Sequence, residues 1–146
     1  HGEKPESGEG LSDVGKERSN YIANCFSQEY SSLALPFGSP TAVLACADTK
    51  SSHRPKLTVE PLAKALKLKV DQSISKDDHS GFAKHVQKLL HPQSTLVVAW
   101  HHGSIPALVQ ELLGPKHWHK DWPTAWPEDC SHPEWNEPKH LRGDSS

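Results

Sequence analysis

The run STLVVAW (94–100) is apolar on both sides of its alternation. A strand of that kind cannot leave either surface to water, so helices must cover it from both directions, as they cover a central strand of a parallel sheet. The residues that follow fit this demand. HHGS supplies a loop, and IPALVQELL reads as a helix stopped by Gly114. Upstream, TAVLACA (41–47) reads as a second buried strand after the turn signal FGSP. A helix is expected over 11–26, with Ser12 capping its first turn and Val14, Tyr21, Ile22, Cys25 and Phe26 at helical spacing. Another starts at Pro55, with Leu57, Leu62, Ala65 and Leu66 as its apolar side; Pro61 should bend it or reset its start. LKLKVD offers only a short edge strand, and SGFAKHVQKLLHP (80–92) an amphipathic helix through Phe82, Val86, Leu89 and Leu90. Helices alternating with strands that feed into loops predict an α/β fold. Ligands in such sheets bind beyond the carboxyl ends of the strands, so the loop after STLVVAW is the first place to look for chemistry.

Composition bounds the rest. A chain of 146 residues suits one domain, but 34% hydrophobic residues and 12 prolines leave little core material. Most of it falls between Leu11 and Leu113, which predicts a domain over 1–114 and an irregular Trp/Pro/His-rich arm over 115–146 packing on it. A net charge of −2 gives no electrostatic case for nucleic acid or an anionic membrane surface, and no apolar run approaches bilayer-spanning length. Cys25, Cys46 and Cys130 are odd in number and far apart. Two sit in apolar stretches as buried thiols would, which favours a reducing, cytoplasmic setting. HWH at 117–119 has metal-clip composition, but residues two apart share a side only in a strand, and RGD at 142–144 is a tripeptide of the kind chance supplies.

Three separated pieces carry chemistry: HGEKP followed by GLS, SSHRPKLTVEPLAKAL, and VVAWHHGSIPAL. In this order, and on strand–loop–helix contexts, they resemble the histidine phosphatase superfamily, the phosphoglycerate mutase-like proteins. The resemblance runs from His1 to about Gly114. It implies a three-layer α/β/α sandwich and hydrolysis of a phosphomonoester through a phosphohistidine. It would make His1 the nucleophile, because an imidazole nitrogen both attacks and leaves readily at neutral pH. Arg54 matches the family's second arginine, whose planar fork binds two phosphate oxygens. His102, before Gly103, matches the second histidine, which would donate to oxygens gaining charge in the transition state. Gly2, Lys4, Gly103 and Ser104 would bind substrate around them, Ser104 at a helix N-terminus favourable to anions. Asp77 and Asp78 are both candidates for the general acid, and both also read as a solvated loop pair capping the helix from Ser80. His101 reads as a packing neighbour and His53 as structural.

The departures from the pattern matter as well. The arginine that should precede the first histidine is missing, together with the first strand. The expectation is a processed or incomplete chain with both lying upstream. The implied ligand is a small phosphorylated substrate or a phosphate ion, with no cofactor. A second reading is a copper site, in which the amino group and Nδ1 of His1 and a nitrogen of His102 form a planar T suited to Cu(II). A third is a degenerate domain that holds a phosphorylated ligand or a partner without turnover.

Overall fold

Gly15, Ser19 and Ala23 recur every fourth residue along the first helix, and all three are buried. A stripe of small side chains lets a second helix approach closely, and this pairing organises one side of the molecule. The computed structural model describes residues 1–27 and 38–114. Among them the chain forms α1 (Asp13–Ser27), β1 (Ala42–Ala45), α2 (Arg54–Ala65), β2 (Val70–Asp71), α3 (His79–Leu89), β3 (Leu96–Ala99), a 3-10 turn (His102–Ser104) and α4 (Ile105–Leu113). The fold is mixed α/β, with four helices and a small parallel sheet in the order β2-β1-β3. The expected arm at 115–146, with Cys130, HWH and RGD, lies outside the described residues.

The sheet separates two apolar clusters by the period-two rule of a strand. Val43 and Ala45 join Ala23 of α1 and Val59, Leu62 and Ala63 of α2. Leu44 and Cys46 join Phe82 and Val86 of α3, Trp100 and Leu108 of α4. Burying each large side chain here contributes about 1.5–3 kcal/mol. Trp100 anchors the second cluster. It is 2% exposed, meets Phe82 edge-on at 5.1 Å, and donates its indole N–H to the Lys76 carbonyl at 3.0 Å.

Three expectations need correction. First, β1, not β3, is the central strand. β3 pairs only with β1 among the described residues, and Val98 is 38% exposed. An apolar pattern reports how the faces of a strand are covered; it is silent on whether its edges are paired. Second, Val14 and Tyr21 are exposed, while α1 turns its small residues inward and only Ile22 and Phe26 of the expected set pack on the core. On α2, likewise, Ala65 is exposed and the buried set is Pro55, Thr58, Val59, Leu62 and Ala63. Third, Pro61 does not reset α2, which runs through it from Arg54 to Ala65.

The reason α2 survives Pro61 lies on α1. Proline has no N–H for the carbonyl four residues earlier, so Leu57 loses its helical donor. The Ser19 hydroxyl takes its place, 2.9 Å from the Leu57 carbonyl and 2.7 Å from that of Thr58. Ser19 is itself 2% exposed, so no water can substitute. The remaining ends follow local rules. The Ser12 hydroxyl accepts from the Gly15 amide at 3.0 Å, Asp78 caps α3 by accepting from the Gly81 amide at 2.9 Å, and Gly114 leaves α4 at φ 77°. Replacing Ser19 with Ala should destabilise the fold by about 1–3 kcal/mol, because a buried carbonyl is left unpaired. A denaturation midpoint that drops with an unchanged slope would record it.

Candidate active site

The site forms where β1 and β3 end and the first residues of the chain pass beside them. His1 donates from its backbone nitrogen to the Trp100 carbonyl at 3.3 Å, which sets the first residue against the end of β3. The next residue is buried. The Gly2 amide donates to the Thr58 hydroxyl at 2.8 Å, and that hydroxyl donates in turn to the Arg54 carbonyl at 2.7 Å. One side chain therefore fixes the backbone of His1–Gly2 relative to the first turn of α2. The close passage requires small residues. A Cβ on Gly2 would meet Leu11 Cδ2 at 3.0 Å and the Gly15 carbonyl at 3.1 Å, and one on Gly15 would stand 2.9 Å from the Glu3 backbone. Glu3 completes the seam by pairing with Arg18. Its burial opposes ionisation, but the Arg18 hydrogen bond prevails and holds the carboxyl below its ordinary range.

Three imidazoles meet at this point. The His1 ring lies 5.5 Å from that of His102, at 64°, and 5.3 Å from that of His101, at 85°. His1 Nδ1 is 2.8 Å from the Gly2 carbonyl. A carbonyl only accepts, so Nδ1 carries the proton and the neutral ring keeps its lone pair on Nε2. That Nε2 is buried with no hydrogen-bond partner, as are Nε and Nη1 of Arg54. Arg54 opens α2 and is close enough to His101 to act on its charge. Burial, then Arg54 and Lys76, lower the His101 pKa below its ordinary value. The 3-10 turn carries His102 and Gly103 into α4, with the Ser104 amide bonded to the His101 carbonyl at 3.0 Å. A side chain at Gly103 would meet nothing within 4 Å, so packing among the described residues does not demand glycine there.

The structure thus brings His1, Gly2, His102 and Arg54 to one end of the sheet, with Gly103 and Ser104 at the start of α4. Lys4 is exposed. Asp78 is committed to the cap of α3, one residue earlier than the expected start at Ser80, and Asp77 pairs with Lys76 at 3.5 Å. The loop carrying them is tied to the site through the indole bond from Trp100 to Lys76. For a copper chelate, His1 would need both its amino group and Nδ1. Here each is directed at a backbone carbonyl. Cys25 and Cys46 are both free thiols, and burial pushes that of Cys46 up. No helix among the described residues is long and apolar enough to cross a membrane.

Sequence reading missed Thr58. Thr58 lies one helical turn after Arg54, the spacing at which a threonine hydroxyl bonds back to the carbonyl four residues earlier. His53 was read as structural, and the structure makes it a clip. Its Nε2 is 2.7 Å from Glu9 and its Nδ1 3.0 Å from Asp48, while its amide donates to the Glu9 carbonyl at 2.9 Å. Both ring nitrogens can donate only in the imidazolium, so the carboxylates hold the His53 pKa above its ordinary 6.5, Asp48 first and Glu9 second. No family model, curated protein or solved structure shows a significant match to this chain.

Two outcomes follow from this geometry. Thr58→Val keeps the shape of the side chain but strands a buried amide, and should cost about 1–3 kcal/mol of stability on denaturant unfolding. The His53 clip should make stability fall with alkali. A histidine whose folded pKa exceeds its unfolded value stabilises fully below 6.5 and loses that contribution as pH rises through the folded value. Denaturation midpoints measured on both sides of this window should decline for the natural chain, and the decline should flatten in His53→Ala.

Proposed function

We propose that this chain is a member of the histidine phosphatase superfamily that hydrolyses a small phosphomonoester at the end of its sheet. One observation carries the reading: the unpartnered lone-pair nitrogen of His1 and two unpartnered guanidinium nitrogens of Arg54 lie at the same end of the sheet as His102. Buried donors are ordinarily satisfied, and a convergent set left open calls for an anion. A phosphate monoester offers acceptor oxygens to Arg54 and His102 and an electrophilic phosphorus to His1. The split of the core into two clusters on opposite sides of β1 supports the corresponding three-layer α/β/α sandwich.

The chemistry then runs in two displacements. His1 Nε2 attacks phosphorus as the ester P–O bond breaks, and the departing alkoxide takes a proton from a general acid. Water next attacks the phosphohistidine, the P–N bond breaks, and inorganic phosphate leaves. Arg54 and His102 hold the equatorial oxygens through both steps, where most of the acceleration in phosphoryl transfer arises. Asp77 is the better candidate for the acid, because Asp78 is already engaged as a helix cap.

Hydrolysis of an aryl phosphate tests this reading. His1→Ala, Arg54→Gln and His102→Ala should each lower kcat/KM by about 10²–10³-fold, the usual cost of losing one stabilising group. Asp77→Asn should spare an activated aryl ester and slow an alkyl ester, whose leaving group needs the proton. Equal background rates in the natural chain and the His102 variant would remove the enzyme reading. Tight phosphate binding without turnover would leave the degenerate, ligand-holding one.

A further inference from the structure

The contact between His101 and His1 extends the phosphatase reading and rests on it for its catalytic half. His1 has a single hydrogen bond from its ring, Nδ1 to the Gly2 carbonyl. One bond favours this tautomer only while the ring keeps its plane; a ring free to pivot breaks it, the tautomers then average, and Nε2 no longer aims at phosphorus. His101 supplies the missing constraint. Its ring stands at 85° to that of His1 with centroids 5.3 Å apart, the edge-to-face arrangement that aromatic rings prefer. His101 is itself held through its backbone. Its carbonyl accepts from the Ser104 amide at 3.0 Å, and its backbone lies close enough to the Cys46 thiol to favour that group's ionised form against burial. Its own Nε2 is buried without a partner, so no hydrogen bond from that nitrogen accounts for the ring's place.

We propose that His101 is the positioning residue for His1, fixing the plane of the nucleophilic ring by edge-to-face contact so that Nε2 faces the incoming phosphorus. Its role is that of a ring, not of an acid or base. Burial, followed by the charges of Arg54 and Lys76, keeps it neutral at neutral pH, with His102 acting in the same direction. It therefore adds no charge beside a nucleophile that must itself become cationic on phosphorylation.

The test compares two variants of the full chain. His101→Phe keeps the ring and removes both nitrogens; His101→Ala removes the ring. Long-range ¹H–¹⁵N correlation of the His1 ring nitrogens should show a single Nδ1–H tautomer in the natural chain and in His101→Phe, and averaged shifts in His101→Ala. With an aryl phosphate, His101→Ala should lose about tenfold in kcat with KM little changed, and His101→Phe should recover most of it. If the alanine variant does not fold, His101→Leu, which fills the volume without an aromatic edge, takes its place. The proposal is overturned if the ring-less variant matches the natural chain in the His1 tautomer, or if His101→Phe is as impaired as it. A natural chain without turnover whose His1 tautomer is still lost only on removing the ring would sink the phosphatase reading and leave the positioning role standing.

Discussion

The hydroxyl of Thr58 is the joint on which this arrangement depends. It accepts from the Gly2 amide and donates to the Arg54 carbonyl, so one atom couples a segment with no regular structure to the first turn of a helix. Nothing else of comparable directness connects the His1 and Arg54 backbones. Hydrophobic packing could bring the start of the chain near α2, but packing is tolerant of sliding by a fraction of an ångström. A buried pair of hydrogen bonds is not, because a slip leaves the Gly2 amide unpaired where water cannot reach it. The short side chains along this seam, Gly2 against Gly15, are the steric counterpart of that bond. Together they convert two remote sequence segments into one surface.

Element type was largely legible because the apolar spacing is regular and the stop signals are strong. Ser12, Pro92 and Gly114 all lie at or beyond helix ends, and LKLKVD does form the edge strand β2. What failed was the direction in which elements face. Val14 and Tyr21 are more hydrophobic than Gly15 and Ser19, so hydrophobicity alone turned α1 the wrong way. Close helix contact rewards small size, and only knowledge of the neighbouring helix reveals which criterion governs. The rank of β3 failed for a related reason, since pairing at a strand edge is a backbone property that leaves little trace in side-chain pattern.

The convergence of the candidate residues was legible, and the contacts that support it were not. His1, Arg54 and His102 stand in quotable motifs, and the fold carries all three to one end of the sheet. Arg54 gets there because it opens α2, and His102 because β3 delivers it. The doubled histidine at 101–102 was divided by motif, His102 as the second site histidine and His101 as a packing neighbour, but the edge-on contact of His101 with His1 was not legible. His53 was legible as structural, but what it holds was not. Its partners Glu9 and Asp48 are distant in sequence, and neither stands in a recognisable spacing with it. The aspartate pair at 77–78 was half legible: the capping alternative was correct for Asp78, while Asp77 pairs with Lys76.

The bond from Ser19 to the Leu57 carbonyl has an evolutionary consequence. The Ser19 hydroxyl matters more because residue 61 is proline; with any other residue there, the helix would supply its own donor to Leu57 and the hydroxyl would keep only its bond to Thr58. The two positions are therefore epistatic, and their substitutions should not combine additively. Losing the serine costs less once the proline has gone. The order of those two steps is favoured by a missing hydrogen atom.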